Sequence, residues 1–304
     1  IGKLKNLLIH DEEKNNNNHL KRFVDVTFPS NWTGDLYTIK KVLLNNKSKE
    51  YKKVEELVLK NLLKFRDNEQ IKGVLIEINS PGGVVGPSQE LYSEIKRVRD
   101  EWQKPVVVTS SALLASGAYY AAVAADKIVV NPGTMVGSIG VVMNFANLEK
   151  LYSWANIDRY ALKTGPYKDS GADYRPMTEA EKSLFMQMLN NVHDQFKGAV
   201  SEGRNLPMDK VELFADGRVF TGETAVKYKF ADQLGTFADA KRLVGTLSGL
   251  GEEPELFEPP KPRPDFWEVL SEVKFGAHWE NVLENTLKPK LTAVPLYLLP
   301  AALN

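Results

Sequence analysis

The sequence predicts an α/β fold built on a parallel sheet, and three observations carry that expectation. First, three short apolar segments, GVLIEIN at 73–79, PVVVTS at 105–110 and KIVVN at 127–131, alternate with helical stretches at 88–102 and 112–125. Strand, helix, strand, helix, strand at this spacing is the pattern of parallel strands joined by crossover helices. Second, the three segments are apolar nearly throughout, as strands are when both faces are covered. Third, Gly- and Pro-rich breaks follow the strands, SPGGVVGPS at 80–88 and PG at 132–133.

The rest of the chain reads around this centre. Residues 1–50 are expected to be a partly irregular arm: DEEKNNNNH at 11–19 has little to bury, and FVDVTF at 23–28 alternates like a strand. Residues 52–65 place Val54, Leu57, Val58, Leu59, Leu62 and Leu63 at helical spacing, with charges on the other face. In the helix at 88–102, Leu91 and Ile95 point inward and Glu90, Glu94 and Lys96 outward. A strand is expected at 158–163. One long amphipathic helix follows at 177–204, with Thr178 as cap and Glu181 completing a capping box. Shorter helices are expected after Gly222 and from about Phe237. PELFEPPKPRP at 254–264 is a proline-rich linker, 265–287 is amphipathic through Trp267, Leu270, Val273, Trp279, Val282 and Leu283, and the end, AVPLYLLPAALN, is apolar but short. The expected organisation is an N-terminal arm at 1–50, a catalytic α/β domain at 51–245, and a proline-rich linker with a helical tail at 246–304.

Composition narrows the function. With 304 residues, 43% of them hydrophobic, the chain can bury a large core. Lys+Arg and Asp+Glu are equal at 39 each, which argues against a general polyanion or nucleic-acid binder. The absence of cysteine excludes disulfides, thiol catalysis and thiolate metal sites. The four histidines, His10, His19, His193 and His278, form no metal-like pair, so neither a metal nor another cofactor is expected. No apolar run reaches the length of a membrane span, so the piece reads as soluble. The chain starts at Ile1, which is compatible with a signal or anchor segment upstream.

Candidate chemistry begins in SSALLASGAYYAA at 110–122. A serine entering a helix meets free N–H groups and a partial positive charge, which favour an oxyanion. Ser116 has that setting and small neighbours, whereas Ser110 and Ser111 more simply end the preceding strand. The same residues also fit a helix packed through small side chains. A nucleophilic serine needs a base. No histidine is placed for it; His193 sits among polar residues of the long helix and reads as a surface residue. The other base for a serine is a neutral lysine, and Lys168, in the loop KTGPYKDSGADYRP, stands out, although spacing alone leaves it equally a solvated loop lysine. SPGGVVG at 80–86 offers backbone N–H groups; it lacks both the phosphate-loop and dinucleotide patterns, so it is either an oxyanion hole or an ordinary turn.

INSPGG at 78–83, LLASGAYYAAVAADKIVVNPGTMVGSIGV at 113–141, GPYKD at 165–169 and ADGRVFTGETA at 215–225 together resemble the signal peptide peptidase A (protease IV) family of serine peptidases, in its short single-unit form. Four blocks in order with conforming spacing are specific, and they cover about residues 65–245. The resemblance implies a spiral of parallel strands and helices like that of the Clp proteases and crotonases, with a helical C-terminal extension. It implies a Ser/Lys dyad of Ser116 and Lys168, a lysine-orienting Ser138, and an oxyanion hole at Gly83 and, by position, Gly117. Gly82, Val84 and Val85 would pair with the substrate backbone, and Leu113, Leu114 and Val136 would line apolar pockets. The implied substrates are hydrophobic signal-peptide remnants at a bacterial membrane, and the implied assembly is a ring, tetrameric or octameric. Two residues depart from the pattern: Ala118 stands where a second Gly is common, and Lys229 where a Gly usually ends a helix. Two other readings stay open, a crotonase-type acyl-CoA enzyme and a specialised processing protease or assembly protein, such as a phage capsid protease.

Overall fold

The computed structural model describes residues 36–42, 62, 68–257 and 296–297. Five parallel pairings build its main sheet, in the order β10-β1-β2-β4-β6-β9. These strands are β1 (Leu36–Val42), β2 (Gly73–Ile78), β4 (Val106–Ser110), β6 (Lys127–Val130), β9 (Gln233–Leu234) and β10 (Leu256–Phe257). The three apolar segments are thus the sheet's centre, in register Val74↔Val106 and Val107↔Lys127. Every residue of β4 is buried, which is why its sequence shows no alternation. The helix Phe237–Leu247 covers one face: Ala240 and Val244 are buried with Leu75, Val107 and Val129. Thr236 and Asp239 cap that helix reciprocally, as Thr178 and Glu181 do for the long helix Glu179–Arg204.

A smaller sheet stands beside the first. β5 (Leu113–Ala115) pairs parallel with β7 (Met135–Gly137), which pairs antiparallel with β8 (Val219–Thr221). The third sheet has two strands, β3 (Gly83–Val84) and β11 (Leu296–Tyr297), antiparallel.

Several expectations are corrected. The helix expected at 112–125 divides into β5 and a short helix, Gly117–Ala122, with Ser116 between them. Its alanines and leucines are good helix formers, but pairing of β5 with Met135–Gly137 and with Ser80 overrides local propensity. The helix expected from Ser88 begins at Val85, directly after β3. No strand forms at 158–163, where residues 158–164 are exposed and have no sheet partner. The expected arm contains β1, a full member of the main sheet. His193 is half-buried rather than a surface residue, with Nε2 buried and unpaired. Lys229, standing where a Gly usually ends a helix, still takes the left-handed conformation at φ 67°, so the turn keeps the glycine geometry despite the substitution. The strand at 23–28, the helix at 52–65 apart from Leu62, the linker beyond Phe257 and the amphipathic stretch 265–287 lie outside the described residues. Among the described residues no helix is long and apolar enough to cross a membrane.

Candidate active site

Ser116 is held at the junction of β5 and the helix Gly117–Ala122. Its N–H donates to the Gly137 carbonyl at 2.7 Å, and its carbonyl accepts from Tyr120 N–H, so the backbone is fixed on both sides. Its φ of 56° and ψ of −127° fall where a side chain is strained. Such strain costs of order 1–3 kcal/mol and persists only where the surroundings impose it. The side chain is fully buried, makes no capping bond, and its Oγ has no hydrogen-bond partner. Strain and an unpartnered hydroxyl are costs that packing by a small side chain alone does not require.

The glycine loop is stitched onto this junction. Ser80 bridges β2 to β5, donating N–H to Leu113 O at 2.6 Å and accepting from Ala115 N–H at 3.2 Å. Gly82, at φ 108°, donates to Ser80 Oγ at 3.2 Å. Gly117 packs so close that a Cβ there would stand 3.1 Å from Gly83 N and 2.3 Å from Ser88 Oγ. Gly83 and Gly117 therefore lie together beside Ser116, and only glycine fits at 117. Asn79 Oδ1 accepts from Ser110 Oγ, Ser111 N–H, Ser111 Oγ and Ala112 N–H at 2.9–3.3 Å, which shapes the turn leading into β5. Asn79 belongs to the quoted INSPGG block, but its role depends on residues more than 30 positions away, and no local pattern reveals it. The other missed side chains are Ser88 and Arg175, and of Glu181 only the capping role was read.

Ser138 follows the Gly137 that holds Ser116. It is buried at φ 51°, with its N–H on the Arg218 carbonyl at 2.8 Å. Of the expected pocket residues, Val84, Val85 and Leu113 are half-buried, while Gly82, Leu114 and Val136 are buried. The edge of β3 accepts a strand in this structure: Leu296 and Tyr297 pair with Val84 and Gly83.

Lys168 lies in the turn after Gly165, its N–H donating to the Gly165 carbonyl at 3.2 Å. Its side chain is exposed, not buried as a base lowered by desolvation needs to be. The physical reason is the segment around it. Trp154 is 83% exposed, Tyr160 81% and Leu162 96%, so the apolar side chains of the segment before Lys168 are not folded inward among the described residues. Asp169, whose charge threatens a neutral neighbour, is turned to other partners: Lys163 Nζ and Arg175 Nη2 bond its Oδ1 at 2.7 and 2.8 Å, and Tyr174 Oη and Arg175 Nε its Oδ2 at 3.1 Å. Arg175 foremost, and then Lys163, hold the Asp169 carboxyl far below the usual carboxylate range. Arg175 continues to Glu181, whose carboxyl it holds down at about 2.

A parallel α/β sheet that presents a strained serine beside paired glycines is compatible with the class of serine peptidases, and comparison with known proteins shows that class. The model of the Clp protease family matches residues 30–136. The model of peptidase family S49 matches residues 99–250, half of the chain, and the protein belongs to that family. Among relatives, a putative protease of Synechocystis sp. is 37% identical over 203 residues, which are 66% of this chain and 73% of that protein. A putative signal peptide peptidase SppA of Enterococcus faecium is 32% identical, over 60% of this chain and 53% of its own length. A chloroplastic serine protease SPPA of Arabidopsis thaliana is 31% identical, over 72% of this chain and 32% of its own length.

Proposed function

We propose that the protein hydrolyses extended hydrophobic peptides with a Ser116/Lys168 dyad, and that its natural substrates are remnant signal peptides released at a membrane. The observation that carries this reading is the Ser116 hydroxyl: buried, unpartnered and held at a strained turn beside Gly83 and Gly117. The substrate lies along β3 as an added antiparallel strand, as Leu296–Tyr297 does here. Ser116 Oγ attacks the scissile carbonyl, and the neutral Lys168 amine takes the hydroxyl proton. The N–H groups of Gly83 and Gly117 stabilise the oxyanion. Lysine then returns the proton to the leaving amine, and water hydrolyses the acyl-enzyme by the same route in reverse. Ser138, two residues beyond the Val136 that pairs with Leu114, orients the amine. Val84, Val85 and Leu113, which are only half-buried, contact substrate side chains.

Lys168 becomes a base when a neighbouring copy covers it. The exposed Trp154, Ile157, Tyr160 and Leu162 support a closed homo-oligomeric ring, a tetramer or octamer, with its active sites inside. The name of the Enterococcus relative supports the signal-peptide substrate class. The test is hydrolysis of a fluorogenic hydrophobic peptide. Ser116→Ala and Lys168→Arg should both be inactive, the second because a guanidinium does not deprotonate at working pH. Turnover retained by either variant at pH 8 would overturn the dyad.

A further inference from the structure

The carboxylate next in sequence to the proposed base has no capacity left for it. Asp169 receives four donors, from Lys163, Tyr174 and twice from Arg175, and a carboxylate has about four lone-pair sites to offer. Arg175 also bonds the Asp169 carbonyl at 3.2 Å and the Pro176 carbonyl at 3.1 Å. It is anchored in turn by Glu181, which is 2% exposed and fixed as the third residue of the long helix. Glu181 likewise receives four donors: Arg175 Nη2 at 2.6 Å, Arg175 Nη1 at 3.0 Å, Ser170 Oγ at 3.1 Å and Thr178 N–H at 2.8 Å. The guanidinium thus ties the loop that carries Lys168 to the start of a 26-residue helix.

We propose that Arg175, seated on Glu181, is a positioning residue for the general base: it takes the Asp169 carboxylate away from the Lys168 amine and fixes the turn that presents that amine. The inference rests on the Ser116/Lys168 reading. Its logic is electrostatic. A free carboxylate within about 4–6 Å of an amine favours the protonated form, and a residue adjacent in a tight turn is within that reach. A protonated lysine accepts no proton from Ser116. The other charged groups around the loop do not replace Arg175. Arg159 is paired with Asp173 and lies over the Tyr174 ring, and Lys163 reaches only one oxygen of Asp169. From the long helix, Glu179 is paired with Lys182 on an exposed face. Arginine suits the place because its planar fork grips two carboxylates at once, which a single ammonium does not.

The experiment is the pH profile of kcat/KM for a fluorogenic hydrophobic peptide, measured on the full chain. In Arg175→Gln the acidic limb should move up by about one pH unit, with about tenfold less activity on that limb. Arg175→Gln combined with Asp169→Asn should return the limb to its wild-type position, because the charge that Arg175 restrains is gone. Arg175→Lys keeps the charge and guards against a variant that fails to fold; its limb should rise by part of a unit. A uniform loss at every pH with the limb unmoved, no recovery in the double variant, or a wild-type profile in Arg175→Lys would overturn the inference. Lys168→Ala separates the two levels of failure. If it stays active, the dyad reading fails; if it is inactive while the Arg175→Gln limb stands still, only the positioning role fails.

Discussion

Replacing Ser116 should make the protein more stable as it destroys activity. The side chain contributes two costs and no visible gain. Its hydroxyl is buried without a partner, which costs about 1–3 kcal/mol in mutational series. Its backbone, at φ 56° and ψ −127°, holds a further strain of order 1–3 kcal/mol. Ser116→Ala removes the first cost and keeps the second, so it should stabilise by about 1–2 kcal/mol. For a chain of 304 residues that raises Tm by about 2–3 °C. Ser116→Gly also relieves the strain, against an unfolded-state entropy loss of about 0.5–1 kcal/mol. Its net gain over alanine is therefore up to about 2 kcal/mol. The assay is thermal and urea unfolding of the three proteins at one concentration, since assembly contributes to Tm. The expected order is wild type, then alanine, then glycine. If Ser116→Ala is less stable than wild type, the hydroxyl has a structural partner, and being held free for an incoming substrate is the wrong explanation for its state.

Three further outcomes follow from other parts of the molecule. Deleting residues 292–304 should lower KM for a peptide substrate several-fold with kcat little changed, because Leu296–Tyr297 pairs with the β3 edge that the substrate needs; an unchanged KM would show that substrate binds elsewhere. Leu162→Asp, at a position 96% exposed in the single chain, should shift light scattering toward the monomer and lower activity, and a full-size assembly would remove this segment from the interface. The Glu181 carboxyl is depressed from 4.5 to about 2 in the fold. Its contribution is therefore complete above about pH 4.5 and lost as pH falls toward 2, so Glu181→Gln should flatten acid unfolding across that window and lower stability at pH 7.

The centre of the sheet was legible because GVLIEI, VVVTS and KIVV are buried on both faces and carry that fact in their composition. The capping box at Thr178 was legible because both partners lie within one turn. The turn at Ser116 was only half legible. LLASGAYYAA is rich in helix formers, and the strand in its first half exists because of Met135–Gly137, some 20 residues on. The strand expected at 158–163 does not form: DRYALK carries no clear alternation, and its residues stay exposed without a sheet partner among the described residues. Lys168 stands out in its loop only weakly, and the resemblance is what implies its role as base; its exposure, the grip of Arg175 on Asp169, and the pairing of Tyr297 with Gly83 all depend on contacts that linear order does not encode.

The central claim is that Ser116 is the nucleophile, and covalent labelling tests it most directly. The assembled protein would be treated with a fluorophosphonate probe across pH 6–9, digested, and the modified residue located by mass spectrometry. The account predicts a single adduct on Ser116, formed faster as pH rises and absent from Ser116→Ala and Lys168→Arg. An adduct on another serine, or full labelling of Ser116 in Lys168→Arg, would contradict it.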